Sequence, residues 1–415
     1  MLSNFRGWLS WGIAAFFVLY QFLLQASTSV MIPELTHAFT IDSAEIGLLS
    51  ASFFYPYIIL QMPAGCLVDR YGARMILTVS MMGCAFSCWL FATAHSAATA
   101  ELSRIFMGIA TSGGVVSAMY LAVNWFPLER FALLAGLTEM LGMLGGAMGQ
   151  NLLAFSVQAM GWRGTMLGCA AVGMLLALLT RALLADGPNE TRPATANKHN
   201  MLQEFWQVLG IPQVWINGIF GGLVFSVITG FAALWAIPYL MKLYSIPLTT
   251  AAAASSMIFW GAALGGPLAG WLSGNFLSRR SIMLSGTFTV LVLLLFLFYG
   301  PGISLSVGFI LLFALGFACG VYVLMFAVVC DFVPANLRGM ALGFTNMMCI
   351  LFGAPIFQPL IGMLLKLRAQ PVLGASMAFS VQDYHFAFMV LPIGLLIAFL
   401  SIFLMSTKKR TVALH

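Results

Sequence analysis

Residues 65–74 read Gly-Cys-Leu-Val-Asp-Arg-Tyr-Gly-Ala-Arg, and the five residues 69–73 among them separate two long apolar runs, 44–68 and 74–94. Each run is long enough to cross a bilayer as an α-helix, which takes about 20 apolar residues. The few residues between the runs leave room for a tight turn only, and Gly72 suits a turn position with unusual backbone angles. The segment therefore predicts two antiparallel membrane-spanning helices joined by a tight turn.

The rest of the chain has the same character. Of its 415 residues, 61% are hydrophobic and 7% are charged, whereas roughly a quarter of the residues in soluble domains are charged. A water-soluble fold could not cover its surface with so few charges, and the apolar runs lack the alternation of barrel strands. We predict an all-α integral membrane protein with twelve transmembrane helices. The predicted spans, numbered 1 to 12 in chain order, are 11–33, 44–68, 74–94, 98–125, 131–155, 163–185, 213–241, 249–274, 281–299, 303–331, 338–366 and 384–406.

The basic residues predict how the chain is oriented. If both termini are cytoplasmic, most of the 18 Lys and Arg residues fall on the inner side, and the segment between spans 1 and 2 carries Glu34, Asp42 and Glu45. This asymmetry follows the positive-inside rule and explains the formal charge of +6 without a nucleic-acid partner. The first span lacks a cleavage site and is expected to be retained. The short loops favour a location in a bacterial inner membrane. We expect the protein to be a monomer in contact with the lipid bilayer.

The two halves of the chain are similar to each other. The segments 32–35 and 65–67 match 237–240 and 270–272, and the shift along the chain is nearly the same in both cases. Five residues around span 5 match five around span 11 at a similar shift, namely Pro127, Gly136, Thr138, Met140 and Gly146 with Pro334, Gly343, Thr345, Met347 and Gly353. We predict two parallel six-helix repeats, with a binding site where they face each other near the membrane midplane. The expected domains are an N-terminal half, 1–185, a cytoplasmic linker, 186–207, and a C-terminal half, 208–415.

The 65–74 segment closely resembles the Gly-x-Leu-x-Asp-Arg-x-Gly-x-Arg signature between spans 2 and 3 of the major facilitator superfamily. Trp125-Phe126-Pro127 with Arg130, and Gly161-Trp162-Arg163, are also similar to that superfamily. The resemblance extends over essentially the whole chain. It implies a six-plus-six helical fold, alternating access and a small-molecule cargo, and it leaves the identity of the cargo open.

The resemblance also implies a conformational latch on the cytoplasmic side, closed when the outer side is open. The latch residues are Gly65, Asp69, Arg70, Gly72 and Arg74. In physical terms, Gly65 permits close helix approach, and Asp69 can accept hydrogen bonds from a basic side chain or a helix N-terminus. The alternative is that the arginines only follow the positive-inside rule.

Two ionisable residues within the predicted spans are candidates for proton coupling. Glu139 lies eight residues into span 5, and its counterpart in the repeat is the neutral Asn346. Because an intramembrane charge is costly, we hypothesise that Glu139 takes up and releases a proton; the alternative is a buried carboxyl bonded to a neighbouring helix. Arg104, with Gly108, resembles an Arg-x-x-x-Gly stretch in span 4 of some proton-coupled members. Its alternative role is an outer ion pair.

Polar residues in the spans are candidates for cargo contact. The superfamily resemblance places spans 1, 4, 7 and 10 around the cavity. Residues 21, 25 and 28 share one helical face, and residues 117, 120 and 124 follow the spacing of a single stripe. For any one of them, an interhelical hydrogen bond is the plainer explanation. The substrate-binding candidates are Gln21, Gln25, Thr28, Tyr57, Gln61, Ser117, Tyr120, Asn124, Asn217, Thr229, Tyr322 and Asn346.

These observations favour secondary transport of a small polar or zwitterionic solute, such as an amino acid or a nucleoside, coupled to protons. Export of hydrophobic drugs or siderophore-like compounds is the alternative, which 35 Phe and 26 Met would suit. The sequence contains no HExxH, GxSxG or Walker A motif, so neither an enzyme nor an ATP-driven pump is expected. The seven cysteines lie in or beside the spans without a CxxC pair, and predict neither a disulfide framework nor a metal site. No cofactor is expected.

Overall fold

The computed structural model describes residues 2–126, 131–187, 206–275, 278–300, 302–333, 337–368 and 379–405. The described residues contain 11 helices that are long and apolar enough to cross a membrane, one of which is the stretch Gly136–Leu183. That stretch contains both span 5 and span 6, because the helix Phe131–Leu183 is interrupted at Gly161, whose φ of 70° is not helical. The described chain therefore matches the twelve predicted spans.

In the N-terminal half, some observed helices are longer than the predicted spans and others divide a span in two. Span 1 reaches beyond its predicted limits because polar residues continue the helix at both ends. Spans 2 and 4 are each broken in two. The helices are Leu2–Phe39, Ser43–Ala51 and Phe54–Tyr71, Ala73–Ala92, Ala97–Thr111 and Gly114–Trp125, and Phe131–Leu183.

In the C-terminal half, spans 7 and 11 contain π-helical turns and span 10 contains a 3₁₀ turn. Such turns leave some backbone carbonyls without their usual partner and often lie at functional sites. The helices are Pro212–Ser226, Val227–Trp235 (π) and Ala236–Tyr244; Leu248–Asn275; Arg279–Tyr299; Leu305–Cys319, Gly320–Val323 (3₁₀) and Leu324–Phe332; Arg338–Leu351, Phe352–Phe357 (π) and Gln358–Arg368; and Val381–Ala387 and Val390–Leu404.

Local chemistry explains where several helices begin. Asp42 forms a capping box at the start of span 2, and Ser380 does the same at the start of span 12. Ser96 and Ser304 cap spans 4 and 10 through their side-chain oxygens. These residues satisfy backbone N–H groups that a helix start leaves free. Gly72, with a φ of 80°, makes the turn predicted between spans 2 and 3.

The end of the bundle where spans 1 and 2 join, predicted to face outside, is called the outer end here. Spans 2 and 11 are packed together at this end. The Lys366 ammonium lies 2.6 Å from the Asp42 carboxylate, and the Ser43 hydroxyl donates to the Gly362 carbonyl at 2.9 Å. A Cβ on Gly47 would collide with the backbone of span 11. The two halves are therefore in close contact at the outer end of these spans.

Spans 5 and 8 form a second contact between the halves. The Asn151 amide donates to the Ser256 hydroxyl at 2.9 Å, and Gly146 packs against the ring of Phe259. Both contacts lie in the outer half of these spans. The described residues thus close the bundle at its outer end through two pairs of helices, one pair on each side of the interface.

Candidate functional site

A chain of hydrogen bonds joins spans 1, 2 and 11 across the interface between the halves. The Gln21 Nε2 atom donates to the Tyr57 hydroxyl at 3.0 Å, and Gln61 interacts with the same hydroxyl. On the other side of the interface, the Asn346 Nδ2 atom donates to Gln61 Oε1 at 2.9 Å. A continuous polar connection therefore passes from the first half to the second in the middle of an apolar bundle.

Glu139 of span 5 lies beside this chain. It is close enough to interact electrostatically with Tyr57, Tyr322 and Cys349. The residue is deep in the bundle, yet part of its side chain is accessible, as is part of Asn346. A deep but accessible side chain is expected to line an internal space rather than to pack in a core. The Glu139 carboxyl has no hydrogen bond or ion pair with a described residue.

We call six of these residues the central cluster: Gln21, Tyr57, Gln61, Glu139, Tyr322 and Asn346. All six are among the residues predicted for proton coupling or cargo contact. The structure brings them together from spans 1, 2, 5, 10 and 11. Glu139 and Asn346 occupy matching positions when the two halves of the chain are aligned, and both residues are partly accessible.

Small and aromatic neighbours position the cluster. A Cβ on Gly114 would collide with the Gln21 side chain, so this glycine allows span 4 to approach span 1 closely. The ring of Phe53 stacks on Tyr57 with 5.8 Å between centroids. The ring of Phe225 lies 4.5 Å from that of Tyr322. Aromatic contacts of this kind restrict the tyrosine side chains to a narrow range of positions.

Arg104 is fully buried away from the central cluster. Its guanidinium donates to the Leu24 carbonyl at 3.0 Å and to the Ser50 carbonyl at 3.3 Å, and lies 4.9 Å from the Phe53 ring centroid. The Ser50 carbonyl is available because span 2 is broken after Ala51. Arg104 makes no ion pair with a described carboxylate. It therefore connects spans 1, 2 and 4 through their backbones.

The remaining predicted contact residues lie outside the central cluster. Thr28 and Ser117 are buried, and their hydroxyls have no hydrogen-bond partner. Gln25 and Tyr120 are partly exposed. Asn124 lies at the inner end of span 4 against Gly187, which is too far along the helix for a site at the midplane.

Asn217 and Thr229 hold span 7 in place. The Asn217 amide donates to the Met325 carbonyl of span 10 at 2.8 Å. The Thr229 hydroxyl donates to the Phe225 carbonyl at 3.2 Å, and the Thr229 carbonyl accepts from Gln358 Nε2 at 2.7 Å. Asn217 and Thr229 thus form hydrogen bonds within and between helices, which is the alternative to cargo contact given for such residues above.

The predicted latch is described in part. The backbone N–H of Arg74 donates to Asp186 at 2.7 Å, and the Arg74 guanidinium donates to the Arg181 carbonyl. Gly72 faces the Asp186 carboxylate. These contacts join the turn between spans 2 and 3 to the end of span 6. The side chains of Asp69 and Arg70 and the surroundings of Gly65 lie outside the described residues, as does most of the 186–207 linker.

Sequence reasoning missed Gln150 and Gln358, which bind the π-helical turn of span 7. Gln150 Nε2 donates to the Ala232 carbonyl at 2.6 Å from the other half of the chain. Gln358 reaches the carbonyl of Thr229 from span 11. A glutamine inside an apolar run is a visible signal, and the search for polar residues in spans could have found both. The sequence does not predict the π-helical turn whose carbonyl groups they bind.

The described residues contain no group of three or more His, Cys, Asp or Glu placed to hold a metal ion. The five described cysteines, at 84, 88, 169, 319 and 349, are buried free thiols.

The chain is similar in sequence to known transporters. A probable sulfoacetate transporter of Cupriavidus necator is 24% identical over 187 residues, covering 45% of this chain and 44% of that protein. A hexuronate transporter of Bacillus subtilis is 25% identical over 170 residues, covering 41% and 40%. The alignments thus span less than half the length of these relatives.

Solved structures extend the likeness to the whole fold. A bacterial homologue of the human lysosomal transporter Spinster, in an inward-facing and occupied conformation, superposes with a TM-score of 0.77 at 17% identity, covering 95% of this chain and 96% of that one. The family profile described as Major Facilitator Superfamily matches residues 13–358. The chain therefore belongs to the Major Facilitator Superfamily.

Proposed function

We propose that the protein is a secondary active transporter that moves a small polar or zwitterionic organic solute by alternating access, coupled to protons. The observation that carries this proposal is the central cluster, in which the Glu139 carboxyl, without a partner among the described residues, lies beside a hydrogen-bond chain between the halves. The protein would act as a monomer in a bacterial inner membrane with both termini in the cytoplasm.

The closed outer end supports alternating access. The Asp42–Lys366 pair and the Asn151–Ser256 bond both link the halves in their outer parts. A cargo that enters from outside would require these contacts to separate. Since polar contacts of this kind are individually weak, the halves can part and rejoin at low cost. That is the behaviour required of a gate.

The position of Glu139 supports proton coupling. A charged group in a membrane protein is costly unless it is paired or has a function, and Glu139 has no described partner. Its repeat counterpart Asn346 is neutral, so helix packing at this position does not require an acid. A carboxyl that faces an internal space can exchange a proton with whichever side the space opens to.

Thermal unfolding against a panel of solutes tests this proposal. The purified protein is heated with amino acids, nucleosides, sugars, organic acids and drugs, at about pH 6 and about pH 8. A ligand of the folded state raises the midpoint. We expect a shift from a small polar solute that depends on pH in the wild type and in Glu101→Gln, but not in Glu139→Gln. Absence of any solute-induced shift would contradict the proposal.

A small organic anion is the second candidate cargo. It is favoured by relatives named as transporters of sulfoacetate and hexuronate. A shift confined to organic acids would select it, and a shift confined to hydrophobic compounds would select drug export.

A further inference from the structure

We infer that the cargo carries a protonated amine, and that this amine pairs with the Glu139 carboxylate between the rings of Tyr57 and Tyr322. The inference rests on the proposed function and specifies the charge of the cargo. It is drawn from the hydrogen-bonding capacity that the central cluster leaves unused.

Two amide groups of the cluster each donate one hydrogen bond to another cluster residue. Gln21 Nε2 donates to the Tyr57 hydroxyl, and Asn346 Nδ2 donates to Gln61 Oε1. A carboxylate cargo is bound most strongly by a cationic donor, whereas the amide N–H and hydroxyl groups that the described cluster residues offer are all neutral. Arg104 of span 4 is fully buried, and its guanidinium donates to backbone carbonyls. The cluster therefore offers an anion no basic partner.

The one charged group of the cluster is an acceptor. The two oxygens of Glu139 have no hydrogen-bond partner among the described residues, and part of the residue is accessible. An ammonium group presents three donors and no acceptor, so it complements this arrangement. A hydrogen bond between charged groups is also stronger than one between neutral groups.

Aromatic rings add to the attraction. Tyr57 and Tyr322 both lie within electrostatic range of Glu139. Phe225 extends the aromatic surface beside Tyr322. A cation held over aromatic faces is stabilised by the ring quadrupole, most strongly when it is desolvated. An acid flanked by aromatic rings suits an organic cation better than an anion.

The arrangement also couples the cargo to protons. The amine binds the ionised carboxylate, whereas a proton neutralises it, so the two compete for one group. The titratable groups that face Glu139 from the neighbouring spans are Tyr57, Tyr322 and Cys349. The ordinary pKa values of tyrosine and cysteine side chains are about 10 and about 8.5. Competition at Glu139 therefore predicts that amine binding tightens as the pH rises and the carboxyl group ionises, the opposite of an anion carried with a proton.

Matched compounds test the inference. One set is 2-phenylethylamine, 2-phenylethanol and 3-phenylpropionate; the other is pentylamine, pentanol and pentanoate. Each is added to the purified full-length protein, and the midpoint of thermal unfolding is recorded at about pH 6 and about pH 8. We expect an amine to raise the midpoint, more strongly at the higher pH. We expect Glu139→Gln to weaken its binding by about 10- to 100-fold, and Glu101→Gln to leave it unchanged.

Three results would overturn the inference: stabilisation by the alcohol or the carboxylate and not the amine, amine binding that survives in Glu139→Gln, or binding that weakens as the pH rises. Because Glu139→Gln could alter folding, its unfolding midpoint without ligand is compared with that of the wild type. Failure of every amine, with a shift from another polar solute of the wider panel, rejects the amine and leaves the proposed transporter intact. Failure of every compound rejects both.

Discussion

Asn346 of span 11 donates a hydrogen bond of 2.9 Å to Gln61 of span 2, which links the two halves of the chain deep inside the bundle. The same two spans are joined at the outer end by Asp42 and Lys366. Spans 2 and 11 therefore remain in contact from the outer end to the central cluster. Any motion that opens the outer end has to change this interface.

A double-mutant cycle at Gln61 and Asn346 tests the link. A hydrogen bond between neutral groups contributes about 0.5–1.5 kcal/mol, so we expect the unfolding free energies of Gln61→Ala, Asn346→Ala and the double variant to be non-additive by that amount. Denaturant unfolding in detergent micelles measures the coupling. Additive losses would show that the two side chains do not interact in solution.

The Asp42–Lys366 pair is expected to favour closure of the outer end. Asp42→Asn removes the ion pair but keeps a good helix cap. Because half of the Lys366 side chain is exposed, the pair is worth at most about 1 kcal/mol. We expect a several-fold increase in the open population, seen as longer distances between spin labels at residues 40 and 367. Lys242→Gln removes an outer positive charge that has no ion pair with a described residue, and should leave the distances unchanged. An unchanged distribution in Asp42→Asn would refute the gate assignment.

This outer closure should be insensitive to pH in the neutral range. Partial burial acts to raise the pKa of Asp42, but the hydrogen bond from Lys366 and those from the backbone of Glu45 and Ala44 outweigh it and lower the pKa. A group whose pKa is lowered on folding stabilises the folded state above its ordinary pKa, and this contribution is lost as the pH falls through the lowered value. The spin-label distances should therefore change only in strong acid. A change between about pH 6 and about pH 8 that persists in Glu139→Gln would contradict this.

Gly145 is expected to be required for packing between spans 1 and 5. A Cβ at this position would collide with the Leu19 carbonyl, whereas a Cβ at Gly168 meets no atom within 4 Å. We expect Gly145→Ala to lower the free energy of unfolding by about 1–3 kcal/mol through overpacking. Gly168→Ala should be neutral or slightly stabilising, since alanine favours helix. Equal unfolding midpoints for the two variants would refute this packing.

Arg104 is expected to stabilise the fold by binding two backbone carbonyls at once. Lysine keeps the charge but lacks the planar fork that reaches both Leu24 and Ser50. We expect Arg104→Lys to lose about 1–3 kcal/mol of unfolding free energy, and Arg181→Lys, at an exposed site, to lose little. If Arg104→Lys instead keeps the wild-type midpoint and abolishes the pH dependence of solute binding, then Arg104 acts in proton coupling.

The sequence is informative wherever a single residue type dictates the local structure. The turn at Gly72, the break before span 6 and the cap at Asp42 follow from backbone geometry and polar side chains within a few residues. Glu139 stands out because an acid in an apolar helix is costly. Repeat matching also relates it to Asn346, although the two residues are far apart in the chain.

Contacts between distant helices are not contained in such patterns. Asn124 and Tyr322 are both polar residues in spans that the superfamily places at the cavity, yet Tyr322 reaches Glu139 and Asn124 lies at the inner end. The place of Asn124 follows from its position at the end of the predicted span 4, whereas the contact of Tyr322 depends on helix rotation, which is set by packing. The π-helical turn of span 7 is equally hidden, because it depends on partners such as Gln150 that come from the other half.

Transport into proteoliposomes tests the central role of Glu139 most directly. The solute identified by thermal unfolding is loaded with and without an imposed pH gradient, for the wild type, Glu139→Gln and Glu101→Gln. We predict that the gradient changes the wild-type and Glu101→Gln rates, whereas Glu139→Gln still exchanges solute across the membrane but no longer responds to the gradient. A Glu139→Gln protein that responds to the gradient like the wild type would contradict the assignment of Glu139 as the proton-coupling group.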